Sequence, residues 1–217
     1  LTAQNKTDEQ LVHLLRTHAS DSLKKILDNP ETYRYQLIYT QIDRNKNNKP
    51  RFTHYYYNVN RHNYFYPAST VKLPVTLMAL EKINNLKNHG IDKFTTMFTD
   101  SSYEGQTAVL EDSSAENGLP SVAHYVKKIF LTSDNDAYNR LYEFLGQKHM
   151  NDRLHEMGYK DMRITRRFVP MSQDQNRHTN GVRFVKNGEL AYSQPPAYNT
   201  DSFDFSQTVL IGKAYYN

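Results

Sequence analysis

The feature that most constrains the fold is residues 71–86, a segment whose apolar side chains would cover nearly every side of a helix. Its composition and spacing predict an α-helix. A helix that is apolar all round has to be buried, so the rest of the chain must surround it. The chain has 217 residues, and proteins of this size bury roughly 70–75% of the surface of the unfolded chain. It is therefore long enough to provide that cover.

The patterns around this helix predict an α+β fold. The other predicted helices are residues 7–28, 122–131, 136–145, 149–157 and 208–216. The predicted strands form two antiparallel hairpins, residues 33–43 with 52–59 and residues 182–185 with 190–192. Residues 89–120 and 160–182 are predicted to be loops. Thr7 and Gln10 predict a capping box for the first helix. We expect one domain over residues 1–217, with a helical lobe of approximately residues 69–160 inserted into an antiparallel-sheet lobe.

The composition excludes several classes of site. No run of 18 apolar residues occurs, so no membrane span is predicted. The absence of cysteine excludes disulfides, cysteine nucleophiles and thiolate metal sites. The nine histidines show no convincing ligand spacing, so we expect neither a metal nor a cofactor.

A cluster of aromatic and basic residues could form a nucleic-acid-binding site. The tyrosines at 55–57 precede Arg61 and His62, and such groups can stack bases and hold phosphates. Tyrosines of a strand also pack within and over a sheet. Because the net charge is only +4 and no recognition motif is present, we expect no nucleic-acid partner.

A Ser-x-x-Lys motif, Ser69 to Lys72, lies where the buried helix begins. The i, i+3 spacing puts Lys72 on the helix face of Ser69, and burial would lower the pKa of this lysine and make it a usable base. We therefore expect Lys72 Nζ within about 3.5 Å of Ser69 Oγ. The structural alternative is that Ser69 only caps the helix and Lys72 reaches solvent. A second copy, Ser22 to Lys25, shows that the motif alone is a weak signal.

The tripeptide Ser133-Asp134-Asn135 lies between two predicted helices. In the chemical interpretation Ser133 relays a proton to a leaving group, while the amide of Asn135 orients a substrate carbonyl and contacts Lys72. In the structural interpretation the three residues cap a helix, because Ser, Asp and Asn are preferred N-cap residues. The tripeptide arises by chance in only about one chain in twenty of this length. Its position after Ser-x-x-Lys favours the chemical interpretation.

The two motifs in this order resemble the serine β-lactamase and penicillin-binding-protein superfamily, and within it the class A β-lactamases. The signature of that group is Ser-x-x-Lys, Ser-Asp-Asn and Lys-Thr-Gly. Residues 66–75, which read Tyr-Pro-Ala-Ser-Thr-Val-Lys-Leu-Pro-Val, are similar to its nucleophile region almost residue for residue. The resemblance covers roughly residues 33–168 and implies a β-lactamase/transpeptidase-like fold.

The resemblance also implies roles for four residues. Ser69 would be the acylated nucleophile, Lys72 its base, Ser133 the proton shuttle and Asn135 a binder of the substrate amide. The backbone N–H of Ser69 would form half of the oxyanion hole.

The implied substrate is a small molecule, either a β-lactam or the D-alanyl peptide of the cell wall that β-lactams mimic. The implied location is the bacterial periplasm or cell envelope, after removal of a signal peptide. Two alternatives stay open at this point: a cell-wall DD-peptidase or esterase on the same scaffold, and a catalytically silent binding module.

Two departures from the family pattern stand out. No Lys-Thr-Gly or Lys-Ser-Gly occurs, and Gly212-Lys213-Ala214 does not match it, so we expect the chain to lack the family's C-terminal strands and last helix. The class A loop carries a glutamate that activates the deacylating water, whereas residues 163–170 contain no acid. Asp161 and Asp174 flank this loop without fitting the pattern, so the deacylation base has no assignment.

Overall fold

The computed structural model of the chain describes residues 6–60 and 63–203. The described residues fall into two compact units, one within residues 1–65 and the other within residues 66–208. The prediction of a single domain over residues 1–217 stays a prediction. Arg61, His62, the helix predicted at 208–216 and the Gly212-Lys213-Ala214 segment lie outside the described residues.

The first unit combines two short helices with a two-stranded antiparallel sheet. Its elements are α1 (Glu9–His18), α2 (Asp21–Asp28), β1 (Leu37–Arg44) and β2 (Pro50–Tyr57). The predicted hairpin is confirmed, but the single helix predicted over residues 7–28 is wrong. The Ser20 side chain accepts a hydrogen bond from the N–H of Leu23 and starts a second helix there. The predicted capping box is also wrong: Asp8 is the N-cap of α1, and Thr7 Oγ1 accepts the N–H of Asn58 instead.

The tyrosines of β2 have packing roles. Tyr57 is buried and donates its hydroxyl to the carbonyl oxygen of Leu27 at 2.6 Å. Tyr55 packs against the same small core. Tyr56 has the Nζ of Lys6 3.5 Å from its ring centroid. Each ring therefore has a contact within the unit.

The second unit contains the remaining helices and a three-stranded sheet. Its elements are α3 (Lys72–Asn85), β3 (Thr96–Asp100), α4 (Val122–Thr132), α5 (Asn135–Leu145), α6 (Gln147–Glu156), α7 (Gln173–Arg177), β4 (Gly181–Lys186) and β5 (Glu189–Gln194). A 3-10 turn, Ala68–Val71, leads into α3. The sheet order is β3-β4-β5, with all pairs antiparallel. The hairpin predicted at Asn187-Gly188 is confirmed, and both turn residues have the positive φ that such a tight turn requires.

Two elements of this unit lie in segments that the sequence predicted to be loops. β3 is only five residues long and pairs with β4, which is more than 80 residues away in the chain. α7 is also five residues long, and a capping box between Ser172 and Gln175 starts it. Elements this short leave little periodicity to detect. The α+β class is nevertheless confirmed, since helices and antiparallel strands occur in one chain.

The core of the second unit lies around α5 rather than around α3. Residues 137–145 of α5 are all buried, whereas Leu73 and Leu77 of α3 are about half exposed. The prediction that α3 is buried on every side is therefore wrong for one face. The buried polar residues of α5, Asn139, Arg140 and Glu143, each have hydrogen-bond partners inside the unit. The apolar residues that α3 and α5 contribute to this core are Val75, Met78, Ala79, Ile83, Ala137, Tyr138, Leu141, Tyr142, Phe144 and Leu145.

No helix within residues 6–60 and 63–203 has the length and apolar character needed to cross a bilayer.

Candidate active site

Four polar residues that the sequence singled out meet at the start of α3. Lys72 Nζ lies 3.4 Å from Ser69 Oγ, 3.1 Å from Ser133 Oγ and 2.7 Å from Asn135 Oδ1, and it also donates to the carbonyl oxygen of Ser133. The distance to Ser69 meets the expected limit of about 3.5 Å. Lys72 is only 3% exposed, whereas the other three residues are exposed. A buried amine thus lies beneath three polar side chains that solvent can reach.

The neighbours of Lys72 suit a group that exchanges a proton. Two of them, the carbonyl oxygen of Ser133 and Oδ1 of Asn135, can only accept hydrogen bonds, while the hydroxyls of Ser69 and Ser133 can accept or donate. A neutral amine has two N–H groups for the two acceptors and a lone pair for a hydroxyl. A protonated amine has three N–H groups for the same four oxygens. The site can therefore satisfy both protonation states.

The pKa of Lys72 reflects two opposing influences. Burial lowers it below its ordinary value, and the negative charge of Asp134 acts in the opposite direction. Asp134 holds this place because its Oδ1 caps α5 by accepting the N–H of Ala137 at 2.8 Å. Its second oxygen lies 3.8 Å from the Nζ of Lys128. The charge that opposes the effect of burial on Lys72 is therefore itself partly offset by a lysine of α4.

Two residues with left-handed backbone conformation position the serines. Ala68 has φ 45° and directly precedes Ser69, and Ser133 has φ 55°. Such conformations cost residues other than glycine about 1–3 kcal/mol and occur often at functional sites. Ser133 is the C-cap of α4, where its N–H donates to the carbonyl oxygen of Ile129. The turn at Ser133 lets both its carbonyl and its hydroxyl oxygen reach one amine.

The second Ser-x-x-Lys sequence does not place its lysine in a buried environment. Ser22 and Lys25 lie on α2, and both are exposed. The two copies share their spacing, but only the copy at Ser69 places a buried lysine amine among polar side chains, as proton transfer requires.

The loop after the helical segment contributes an aromatic residue that the sequence analysis missed. The ring centroid of Phe168 lies 5.0 Å from Lys72 Nζ. The backbone N–H of Phe168 donates to Asn139 Oδ1 at 2.7 Å, and its ring packs edge-on against Tyr138 at 4.8 Å. The family pattern for this loop concerns an acid, which residues 163–170 lack. Nothing in its spacing indicates a contact across 96 residues of chain.

A buried ion pair attaches the same loop to α5. Arg167 Nε donates to Glu143 Oε1 at 2.8 Å, and both side chains are only 1% exposed. The Arg167 guanidinium also donates to the carbonyl oxygens of Gln175 and His178. Burial raises the pKa of Glu143, while Arg140 and Arg167 oppose that rise. The loop is thus anchored from inside the unit.

Neither flanking aspartate belongs to this cluster. Asp174 accepts hydrogen bonds from the hydroxyls of Tyr103 and Tyr198, which lower its pKa. Asp161 is exposed. In the described part of the chain, the hydrogen bonds and ion pairs of Ser69 and Lys72 include neither aspartate. The same residues contain no group of three or more histidine, aspartate or glutamate side chains that could hold a metal ion.

Comparison with known proteins adds one finding. The model of a family described as "Beta-lactamase enzyme family" matches residues 19–194, a span that includes Lys72, the three polar residues around it and the loop with Phe168. Searches of curated proteins and of solved structures found no match.

Proposed function

Because the chain belongs to the β-lactamase enzyme family, whose members are serine hydrolases of the β-lactamase type, we propose that it cleaves an amide bond through an acyl-enzyme on Ser69. The observation that carries this proposal is the buried amine of Lys72 in contact with Ser69, Ser133 and Asn135. Membership of class A in particular stays a prediction.

In the proposed acylation the neutral amine of Lys72 takes the hydroxyl proton of Ser69 while Ser69 Oγ attacks the substrate carbonyl carbon. The C–N bond then breaks, and the Ser133 hydroxyl donates a proton to the departing nitrogen. Ser133 recovers a proton from the ammonium of Lys72, to which its Oγ lies at 3.1 Å. The result is an ester between Ser69 and the acyl group, with each proton accounted for.

Substrate orientation would come from two groups near Ser69. The amide of Asn135 has its oxygen on Lys72, so its NH₂ group is available to a substrate carbonyl. The N–H groups in the first turn of a helix lack intrahelical acceptors, and the N–H of Ser69 would therefore supply half of an oxyanion hole. Removing one such donor typically costs 10²–10³-fold in rate.

The proposed substrates are β-lactams or the D-alanyl peptides of the cell wall, and the proposed location is the periplasm or cell envelope. Both proposals follow from the family resemblance.

The loop composition favours slow release of the acyl group. Residues 163–170 contain no carboxylate, and guanidinium groups such as those of Arg166 and Arg167 cannot act as bases because they do not deprotonate. An enzyme that acylates quickly and deacylates slowly behaves like a penicillin-binding protein. A cell-wall DD-peptidase is therefore the second candidate function.

Labelling with a fluorescent penicillin tests the nucleophile. We expect the wild-type protein to become fluorescent on a denaturing gel and to gain the mass of the penicillin, and Ser69→Ala to lose both signals. Ser22→Ala is the matched control, because it alters the other Ser-x-x-Lys sequence and should label like the wild type.

Equal labelling of the wild type and Ser69→Ala would contradict the assignment of Ser69. A folded wild-type protein that is labelled neither by the penicillin nor by a D-alanyl ester would instead indicate a silent binding module.

A further inference from the structure

An aromatic ring lies against the proposed catalytic amine, on the loop that carries a glutamate in class A enzymes and no acid here. We propose that Phe168 is a positioning residue that excludes water from Lys72 and so holds its amine ready to take the Ser69 proton. This inference rests on the proposed function of Ser69 and Lys72. Phe168 would act through Lys72 and take no part in bond making itself.

The placement of Phe168 is fixed by contacts of its N–H group, of its ring and of the residue before it. Its N–H donates to Oδ1 of the buried Asn139 at 2.7 Å. The residue before it, Arg167, is buried in an ion pair with Glu143. The ring itself packs edge-on against the buried Tyr138. Phe168 therefore occupies a defined position beside Lys72.

The ring exerts two opposing effects on the amine. It occupies volume that water would otherwise fill, and loss of water disfavours the charged form of a lysine. Its π-face attracts a cation within about 6 Å of the centroid, and the observed distance is 5.0 Å. Burial lowers the pKa of Lys72, which is the direction in which exclusion of water by the ring acts.

Substitution of Phe168 by Leu or Ala removes no charged side chain. Asp134 at the start of α5 raises the pKa of Lys72, and Lys128 of α4 lies 3.8 Å from Asp134. On the loop, Arg166 donates to the hydroxyl of Tyr66 at 3.0 Å. A change in the protonation of Lys72 on substitution of Phe168 therefore reports on the ring.

Two substitutions separate the two effects. Phe168→Leu keeps an apolar cover but removes the π-face, whereas Phe168→Ala opens the position to water. The measurement is the second-order rate constant for acylation by a fluorescent penicillin, followed from pH 5 to 10. We expect the rising limb of the profile to move to lower pH by about half a pH unit in Phe168→Leu. In Phe168→Ala it should move to higher pH, and the rate at neutral pH should fall.

Phe94 provides a matched control, because its ring lies 5.1 Å from the Nζ of Lys93 on an exposed part of the same unit. Phe94→Leu and Phe94→Ala should leave the profile in place. Circular dichroism establishes that each variant is folded, and if Phe168→Ala fails to fold, Phe168→Leu alone decides.

The outcomes distinguish this inference from the function on which it rests. A wild-type protein that labels at Ser69, with Phe168 variants whose profiles coincide with that of the wild type, would overturn the role of Phe168 and leave the proposed function standing. Shifts of both variants in the same direction would overturn the account of two opposing effects. Failure of the wild-type protein to label at any pH would overturn the proposed function itself.

Discussion

Replacing Arg167 with methionine removes the buried cation that attaches the loop of residues 163–170 to α5. The Arg167 side chain is 1% exposed and donates at 2.8 Å to Glu143, whose side chain is equally buried. It also donates to the carbonyl oxygens of Gln175 and His178 at 3.2 and 2.8 Å. Methionine matches much of its volume but offers none of these hydrogen bonds. The variant therefore deprives a buried carboxylate and two carbonyl oxygens of the Arg167 guanidinium.

The expected loss of stability follows from the remaining contacts. Removing one partner of a buried ion pair costs about 3–5 kcal/mol. Arg140 Nη1 still lies 3.0 Å from Glu143 Oε2, so we expect a value near the lower end, about 3 kcal/mol. For a protein of this size each kcal/mol shifts Tm by roughly 2–4 °C. The expected decrease in Tm is therefore about 6–12 °C.

The decrease should depend on pH. Burial raises the pKa of Glu143 above its ordinary value of 4.5, and Arg167 acts against that rise, so the pKa rises further in Arg167→Met. A carboxyl whose pKa is higher in the folded than in the unfolded state binds protons preferentially when folded. The contribution of Glu143 to the free energy of unfolding therefore falls as the pH rises from its unfolded-state pKa to its folded-state pKa. The Tm difference from wild type should be smaller at pH 5 than at pH 8.

Thermal unfolding followed by circular dichroism measures the effect, with Arg153→Met as the control. Arg153 donates two hydrogen bonds to Glu81, but these side chains are 33% and 39% exposed. Ion pairs at the surface contribute about 0–1 kcal/mol, so this control should lose no more than about 4 °C. Equal losses in the two variants, or a loss in Arg167→Met that does not change with pH, would refute the argument from burial.

Two further predictions concern the proposed reaction. Asp134→Asn should keep the cap of α5, since Asn and Asp cap equally well. Because it removes the charge that raises the pKa of Lys72, the rising limb of the acylation profile should move to lower pH; an unchanged profile in a variant of wild-type Tm would contradict this. Residues 163–170 offer no base for deacylation, and loss of a general base typically costs 10²–10⁴-fold. Intact-protein mass spectrometry should therefore show a burst followed by a long-lived acyl adduct, whereas fast multiple turnover of nitrocefin would contradict it.

The sequence predicted the elements whose signals are local. The sequence pattern identified α3, α4, α5 and α6, and Asn187-Gly188 identified a hairpin because two adjacent residues determine that turn. The meeting of Ser69 with Lys72 could also be predicted, since a helical turn of three residues brings their side chains together. The predicted long helix is interrupted at Ser20, where a local N-cap starts a second helix. Periodicity alone could not decide it, because the apolar pattern continues across the break.

The contacts that the sequence did not reveal join distant segments. Phe168 contacts Lys72 from a loop that Glu143 and Asn139 of α5 anchor. That contact therefore involves three separate elements. Similarly, β3 becomes a strand through pairing with β4, and its five residues carry too little pattern of their own. The Phe168–Lys72 contact and strand β3 depend on tertiary packing between distant segments, which local sequence patterns do not predict.

Capping and chemistry are complementary explanations for residues 133–135. The N–H of Ser133 closes the last turn of α4 on the carbonyl oxygen of Ile129, and the carboxylate of Asp134 opens α5 by accepting the N–H of Ala137. Both helix ends are thereby satisfied by the backbone of Ser133 and the side chain of Asp134. Had Ser133 or Asn135 been the N-cap, its side-chain oxygen would be bonded to an N–H of α5. Because Asp134 takes that position, the hydroxyl of Ser133 and the amide of Asn135 can both contact Lys72.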